Sequence, residues 1–266
     1  MKILIIGGGN MGMTYAQSFL RSHITQKEDL MILERSEEKA TLLAQKDIGT
    51  IYATADTCLA KADIIIFAVK PQDAPTLFQS LKPTVDPQQV FMSIMAGVKI
   101  QTIQDALGIK KVIRAMPNLP AQIGMGMTAF TSTDEVTRIE LVMVQNLINT
   151  TGKSLYVNNE NFIDAATAIS GSGPAYVYYF MNAMILAAKK MGFSESESEL
   201  LVRTTFRGAA DLYNKNNFSC EEWIAKVSSK GGTTEAAVAS FKKNLVHEDI
   251  IEGAEAAFER AKELGG

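Results

Sequence analysis

Hydrophobic positions along the chain follow two regimes. Up to about residue 157, short unbroken apolar runs alternate with stretches whose apolar positions recur every three or four residues. The runs cover 2–6, 31–33, 63–69, 90–94 and 111–116, and the helical patterns between them include 11–21 and 37–45. Runs this short and continuous suit strands buried on both faces, the condition of a parallel sheet covered by helices. The alternation predicts an α/β fold whose N-terminal part is a Rossmann-type doubly wound parallel sheet. The character changes at Asn158-Asn159-Glu160-Asn161. Beyond it the periodicity predicts helices over 161–170, 174–191, 195–214, 219–227, 233–243 and 248–264, and no strand. Gly192 stops one of these helices, and Ser194 with Glu197 forms a capping-box pattern for the next. Two domains are therefore expected, a sheet domain over 1–157 and an all-helical domain over 158–266.

Composition narrows the function classes. With 47% hydrophobic and 21% charged residues, the chain has the apolar surface a packed core needs. A net charge of −3 without a Lys/Arg cluster argues against nucleic acid as a partner. Cys58 and Cys220 lie far apart and form neither a metal-spaced pair nor a CxxC, so no metal site is expected and both read as thiols in a reducing compartment. The apolar run 2–6 is too short for a signal peptide and is followed by glycines. The apolar stretch 175–188 is broken by Asn182, ends at Lys189 and Lys190, and falls short of the roughly 20 residues of a membrane span. A cytoplasmic protein without a membrane partner is expected.

The most specific local signal follows the first strand. Gly7, Gly9 and Gly12 fit GxGxxG between a strand and a helix, the context in which that pattern binds a dinucleotide. Gly7 permits the tight turn, Gly9 the approach of backbone to a pyrophosphate, and Gly12 close packing of helix on sheet. The helix start supplies unpaired N–H groups and the positive end of its dipole. Glu34 ends the second strand, where a carboxylate accepts from the adenosine ribose of NAD; Arg35 and Ser36 beside it suit the 2′-phosphate of NADP. The two signals conflict, and the cofactor is read as NAD or NADP. The strand ends Val69-Lys70-Pro71 and Ala96-Gly97 should line the same crevice, with Gly97 admitting the nicotinamide half.

Other residues are informative by their scarcity. Carbonyl reduction needs a proton relay, most often His, Lys or a Tyr–Lys pair. His23 and His247 are the two histidines, and neither adjoins a glycine motif or a strand end. A protonated imine needs no such relay. In the helical half, Ser170-Gly171-Ser172-Gly173-Pro174-Ala175 and Ser228-Ser229-Lys230-Gly231-Gly232-Thr233-Thr234 each precede a helix and offer backbone N–H groups and hydroxyls to an anion such as a carboxylate. The helix over 174–190 is apolar nearly all round, which reads as the core of an oligomer.

Taken with Arg114-Ala115-Met116-Pro117-Asn118, the glycine turn, the Ala68–Pro71 and Ser93–Val98 segments and the two small-residue turns make the chain resemble the pyrroline-5-carboxylate reductase family along its whole length. That resemblance implies reduction of the C=N bond of 1-pyrroline-5-carboxylate to L-proline by NADH or NADPH. It also implies a homodimer through the C-terminal helices, or a larger ring of such dimers, with a second subunit completing the active site. By the same resemblance Gly7, Gly9, Asn10, Met11 and Gly12 hold the pyrophosphate, and Val69, Lys70, Pro71, Ala96, Gly97 and Asn118 flank the nicotinamide. Ser229, Gly231, Gly232 and Thr233 receive the substrate carboxylate, and Thr234 bonds the ring nitrogen as the catalytic residue. Leu119 and Lys230 depart from the family's usual Thr and Pro. Two other readings compete: another NAD(P)-dependent oxidoreductase of the same architecture, acting on an imine or, as a 3-hydroxyacid dehydrogenase, on a hydroxyacid, and a dinucleotide-sensing protein without catalysis. The 3-hydroxyacid dehydrogenases place a catalytic Lys four residues past the last glycine of their turn, where this chain has Val177.

Overall fold

The computed structural model describes residues 1–265; Gly266, the last residue of the expected helical domain, lies outside them. Eight strands form one sheet: β1 (Ile3–Ile6), β2 (Leu30–Leu33), β3 (Thr50–Tyr52), β4 (Ile64–Phe67), β5 (Val90–Ser93), β6 (Val112–Met116), β7 (Gly126–Ser132) and β8 (Gly152–Tyr156). Their order is β3-β2-β1-β4-β5-β6-β7-β8. Neighbours pair in parallel except β6 with β7, so the last two strands run against the first six. The doubly wound expectation holds, with an added reversed edge.

Side-chain alternation builds the two layers. Ile3 and Ile5 of β1 join one buried cluster with Ile32, Ile64, Ile66 and Met92, closed by Phe19 of α1 (Asn10–Arg21) and Leu147 of α5 (Arg138–Asn149). Leu4 and Ile6 join the other with Met31, Ile65, Phe67 and Phe91. That side is covered by Phe78 of α3 (Ala74–Leu81) and Ile103 of α4 (Ile100–Leu107). All four residues of β1 are buried, which is why the run is apolar without interruption. Each fully buried Ile or Leu contributes about 1.5–3 kcal/mol relative to exposure. A short α2 (Glu37–Ala44), capped by Ser36, follows β2 and adds Leu43 to the first cluster.

Beyond the sheet come α6 (Asn161–Ala166), a π-helical turn (Thr167–Gly171), and α7 (Gly173–Lys190), α8 (Glu195–Asn214), α9 (Cys220–Val227), α10 (Thr233–Lys243) and α11 (Val246–Leu264). Ser194 accepts from the Glu197 N–H and Glu197 accepts from Ser194, as the capping pattern predicts. The chain divides into two compact units: residues 1–172 joined by those from Ala257 onward, and Gly173–Ala256. The last strand ends at Tyr156, beside the boundary read at 157; the unit that contains the sheet continues to Ser172. In the second unit, α7 has no buried residue, and Val177, Tyr178 and Tyr179 are exposed. No helix among the described residues is long and apolar enough to cross a membrane.

Candidate active site

The strand order reverses between β1 and β4, and the crevice beyond the C-terminal ends of these strands is where open α/β sheets bind ligands. The glycine turn sits there. Gly7 has φ +108°, and a side chain at this position would meet the Ala68 carbonyl oxygen at 2.7 Å and Val69 Cγ1 at 3.0 Å. Gly12 is buried, and a side chain there would overlap the Gly7 carbonyl oxygen. Gly9 differs from both. Nothing lies within 4 Å of the position its Cβ would take, and its φ of −75° suits any residue. The protein itself gives Gly9 no reason to be glycine. Gly9 is also the N-cap of α1 without a side-chain cap, and no acceptor faces the N–H groups of Asn10, Met11 and Gly12 among the described residues. The donor set and the open face of Gly9 fit a pyrophosphate.

Glu34 closes the turn from the β2 side. Its carboxylate is 9% exposed and accepts from the Gly8 N–H at 3.2 Å and the Ser36 N–H at 3.0 Å. Four lone-pair sites on a carboxylate leave capacity for a ribose hydroxyl. Arg35 points outward and donates to Asp73 at 2.8 Å, and the Ser36 hydroxyl caps α2 by accepting from the Lys39 N–H at 3.4 Å. Val69 touches the Gly7 turn, while Lys70 and Pro71 are exposed just beyond β4.

Two predicted nicotinamide-side residues are engaged within the protein. Gly97 has φ +76°, and the space its side chain would fill is taken by the Leu264 carbonyl group, 2.7 Å away. The close approach that Gly97 permits is thus that of the last turn of α11; Ala96 beside it is partly exposed. Asn118 clamps three segments. Its Nδ2 donates to the Ser170 carbonyl at 3.0 Å, and its Oδ1 accepts from the Met127 N–H at 2.9 Å. Leu119 is exposed. Within the Ser170–Ala175 stretch, Ser170 and Gly171 end the π-helical turn and Gly173 starts α7. The Ser172 N–H donates to the Thr167 carbonyl at 2.8 Å, so that amide is not free for an anion.

A buried ion cluster escaped the sequence reading. Arg114 of β6, 1% exposed, donates to Glu160 at 2.9 Å and to Asp164 at 2.6 Å; Glu160 also accepts from the Ile100 N–H at 2.9 Å. The cluster ties β6, α6 and the start of α4 together. Its signal was present: a cation inside an apolar run, and two carboxylates one helical turn apart.

The second turn lies in the second unit. Ser228 caps α9, Gly231 has φ +72°, and Gly232 is the N-cap of α10 without a side-chain bond. The Gly232 N–H donates to the Ser229 carbonyl at 2.9 Å, so that amide closes the turn, and a ligand has no claim on it. The Gly231 N–H donates to Glu235 Oε2 at 2.7 Å. The N–H groups of Thr233 and Thr234 and the hydroxyls of Ser229 and Thr234 have no acceptor or donor facing them among the described residues. Four groups at one helix N-terminus thus remain to receive an anion.

A glycine turn at the switch point of a mostly parallel sheet, followed by a helical unit, is the architecture of a two-unit dinucleotide-binding protein. Residues 2–97 match the family model described as NADP oxidoreductase coenzyme F420-dependent, and residues 160–264 match pyrroline-5-carboxylate reductase dimerisation. Pyrroline-5-carboxylate reductase 2 of Bacillus subtilis is 35% identical, the match covering 99% of this chain and 95% of that protein. The Aquifex aeolicus enzyme is 34% identical, with 99% and 97% covered. Among solved structures, the Plasmodium falciparum pyrroline carboxylate reductase with NADP bound superposes with a TM-score of 0.90 at 29% identity, covering 100% of this chain and 98% of that one. The chain belongs to the pyrroline-5-carboxylate reductase family.

Proposed function

We infer that the protein reduces 1-pyrroline-5-carboxylate to L-proline with NADH or NADPH. The observation that carries this reading is a pair of helix N-termini with unpaired amides: α1 behind the open face of Gly9, and α10 behind Ser229, Thr233 and Thr234. The first suits a pyrophosphate and the second a carboxylate. When bound, a reduced nicotinamide supplies the hydride that turns the C=N carbon into an amine carbon. The chain's own residues bind and orient. Gly9, Asn10, Met11 and Gly12 receive the pyrophosphate, Glu34 and Ser36 face the ribose, and Val69, Lys70 and Ala96 border the nicotinamide side. The Ser229 hydroxyl and the Thr233 and Thr234 amides receive the substrate carboxylate, and the Thr234 hydroxyl bonds the ring nitrogen. No histidine is needed for a substrate that arrives protonated.

Residues 1–157 serve as the dinucleotide-binding domain and 158–266 as the substrate-binding and dimerisation domain. The absence of any buried residue on so apolar a helix as α7 supports a homodimer through the C-terminal helices, which a larger ring can extend. The cytoplasm, where reduced nicotinamides are available, is the compartment proposed. Steady-state assays with NADH and NADPH in parallel test the reading: coenzyme oxidation must depend on 1-pyrroline-5-carboxylate. No oxidation with either coenzyme at millimolar substrate discards it.

A further inference from the structure

The carboxylate-receiving turn already holds a carboxylate of its own. Glu235 stands three residues after the N-cap Gly232 and reaches back to accept from the Gly231 N–H at 2.7 Å. It is the acidic residue in the first turn of α10, where the helix dipole favours negative charge. Any ligand carboxylate held by Ser229, Thr233 and Thr234 lies at the same helix end, within one turn of this charge. If the ligand also takes the Gly231 N–H, Glu235 has to leave it. If it does not, two like charges share one small surface. In both cases Glu235 opposes the incoming anion, and the neighbouring exposed Lys230 opposes Glu235.

We propose that Glu235 acts as an internal competitor at the substrate turn, holding the turn in shape through the Gly231 N–H and weakening every carboxylate that binds there. A product bearing the same carboxylate as the substrate is weakened too, which favours its release. The proposal rests on reading this turn as the carboxylate site. Its chemistry is plain ion competition: one carboxylate displaces or crowds another, and no bond is made or broken.

The test measures binding of cyclopentanecarboxylate, which has the ring size and carboxylate of the substrate but no nitrogen, to the full-length protein with saturating NAD⁺ or NADP⁺. Wild type is compared with Glu235→Gln, which keeps an acceptor for the Gly231 N–H but removes the charge, and with Lys230→Gln. The expected result is about 3- to 10-fold tighter binding for Glu235→Gln, about 0.7–1.4 kcal/mol, and weaker binding for Lys230→Gln. Added salt should narrow both differences, since surface charge is screened within about 10 Å at 0.1 M. Equal or weaker binding by Glu235→Gln overturns the proposal, as does failure of every form to bind the probe. Turnover of 1-pyrroline-5-carboxylate by wild type, measured separately, reports on the proposed activity, so the two failures are distinguishable.

Discussion

Replacing Gly9 with alanine separates binding from folding. The added Cβ meets no protein atom within 4 Å, and φ −75° with ψ −174° is ordinary for alanine. Alanine is a poorer N-cap than glycine by roughly 0.5–1 kcal/mol. Its lower unfolded-state entropy returns roughly 0.4–1 kcal/mol. The net change in stability is therefore expected within about 1 kcal/mol. Binding is different, because the methyl group projects into the space that a pyrophosphate must enter to reach the α1 amides. Losing one hydrogen bond to a charged group costs about 1.5–3 kcal/mol, which is roughly a 10- to 100-fold rise in the dissociation constant. Fluorescence titration with NADH and NADPH reads the binding, and urea denaturation reads the stability. Gly12→Ala is the contrasting variant. Its Cβ would overlap the Gly7 carbonyl and lie 3.2 Å from Ile5 Cγ2, so a stability loss of about 1–3 kcal/mol is expected. Unchanged affinity in a stable Gly9→Ala protein would refute the assignment of this cradle to the pyrophosphate.

Thr234→Ala should lower kcat about 10- to 100-fold, on the order of 1.4–2.7 kcal/mol for one hydrogen bond at the ring nitrogen; an unchanged rate removes the hydroxyl from the chemistry. Arg114→Met leaves Asp164 buried without its partner and should cost about 3–5 kcal/mol in urea denaturation; a loss below about 1 kcal/mol would mean that the cluster does not hold α6 to the sheet. Burial raises the Glu140 carboxyl, but the Lys111 ammonium at 2.7 Å and the Thr137 N–H and hydroxyl outweigh it and hold it below the usual glutamate range. A lowered folded value stabilises the protein above the unfolded value, and that increment disappears as the pH falls through the folded one. Stability measured from neutral to acid pH should therefore fall less steeply in Glu140→Gln, and identical profiles contradict the pairing.

Much of the fold was legible because its central strands are buried on both faces. The five apolar runs became β1, β2, β4, β5 and β6, and the helices of the second half match their predicted spans within a few residues. The strands not named from sequence are those whose surroundings leave no such signature. Thr50-Ile51-Tyr52 is a partly exposed edge, and Gly152-Lys153-Ser154-Leu155-Tyr156 is the edge at the other end of the sheet. Gly126–Ser132 mixes Thr and Ser with Ala and Phe, although it is mostly buried. The glycine turn was readable because each glycine answers a separate constraint. Asn118 and Gly97 were harder: two of the partners that occupy them, Ser170 and Leu264, are distant in sequence and come together only through tertiary packing. The Ser170–Ala175 stretch has the composition of an open turn, but its backbone bonds to Thr167 and continues as helix.

Hydride transfer to the C=N carbon is the claim at the centre of this account. Coenzyme with deuterium in both C4 positions of the nicotinamide, with L-proline recovered and examined by mass spectrometry, tests it most directly. One deuterium at C5 of L-proline for each coenzyme oxidised is the predicted result. Coenzyme oxidation without deuterium in proline, or with deuterium at any other carbon, would contradict it.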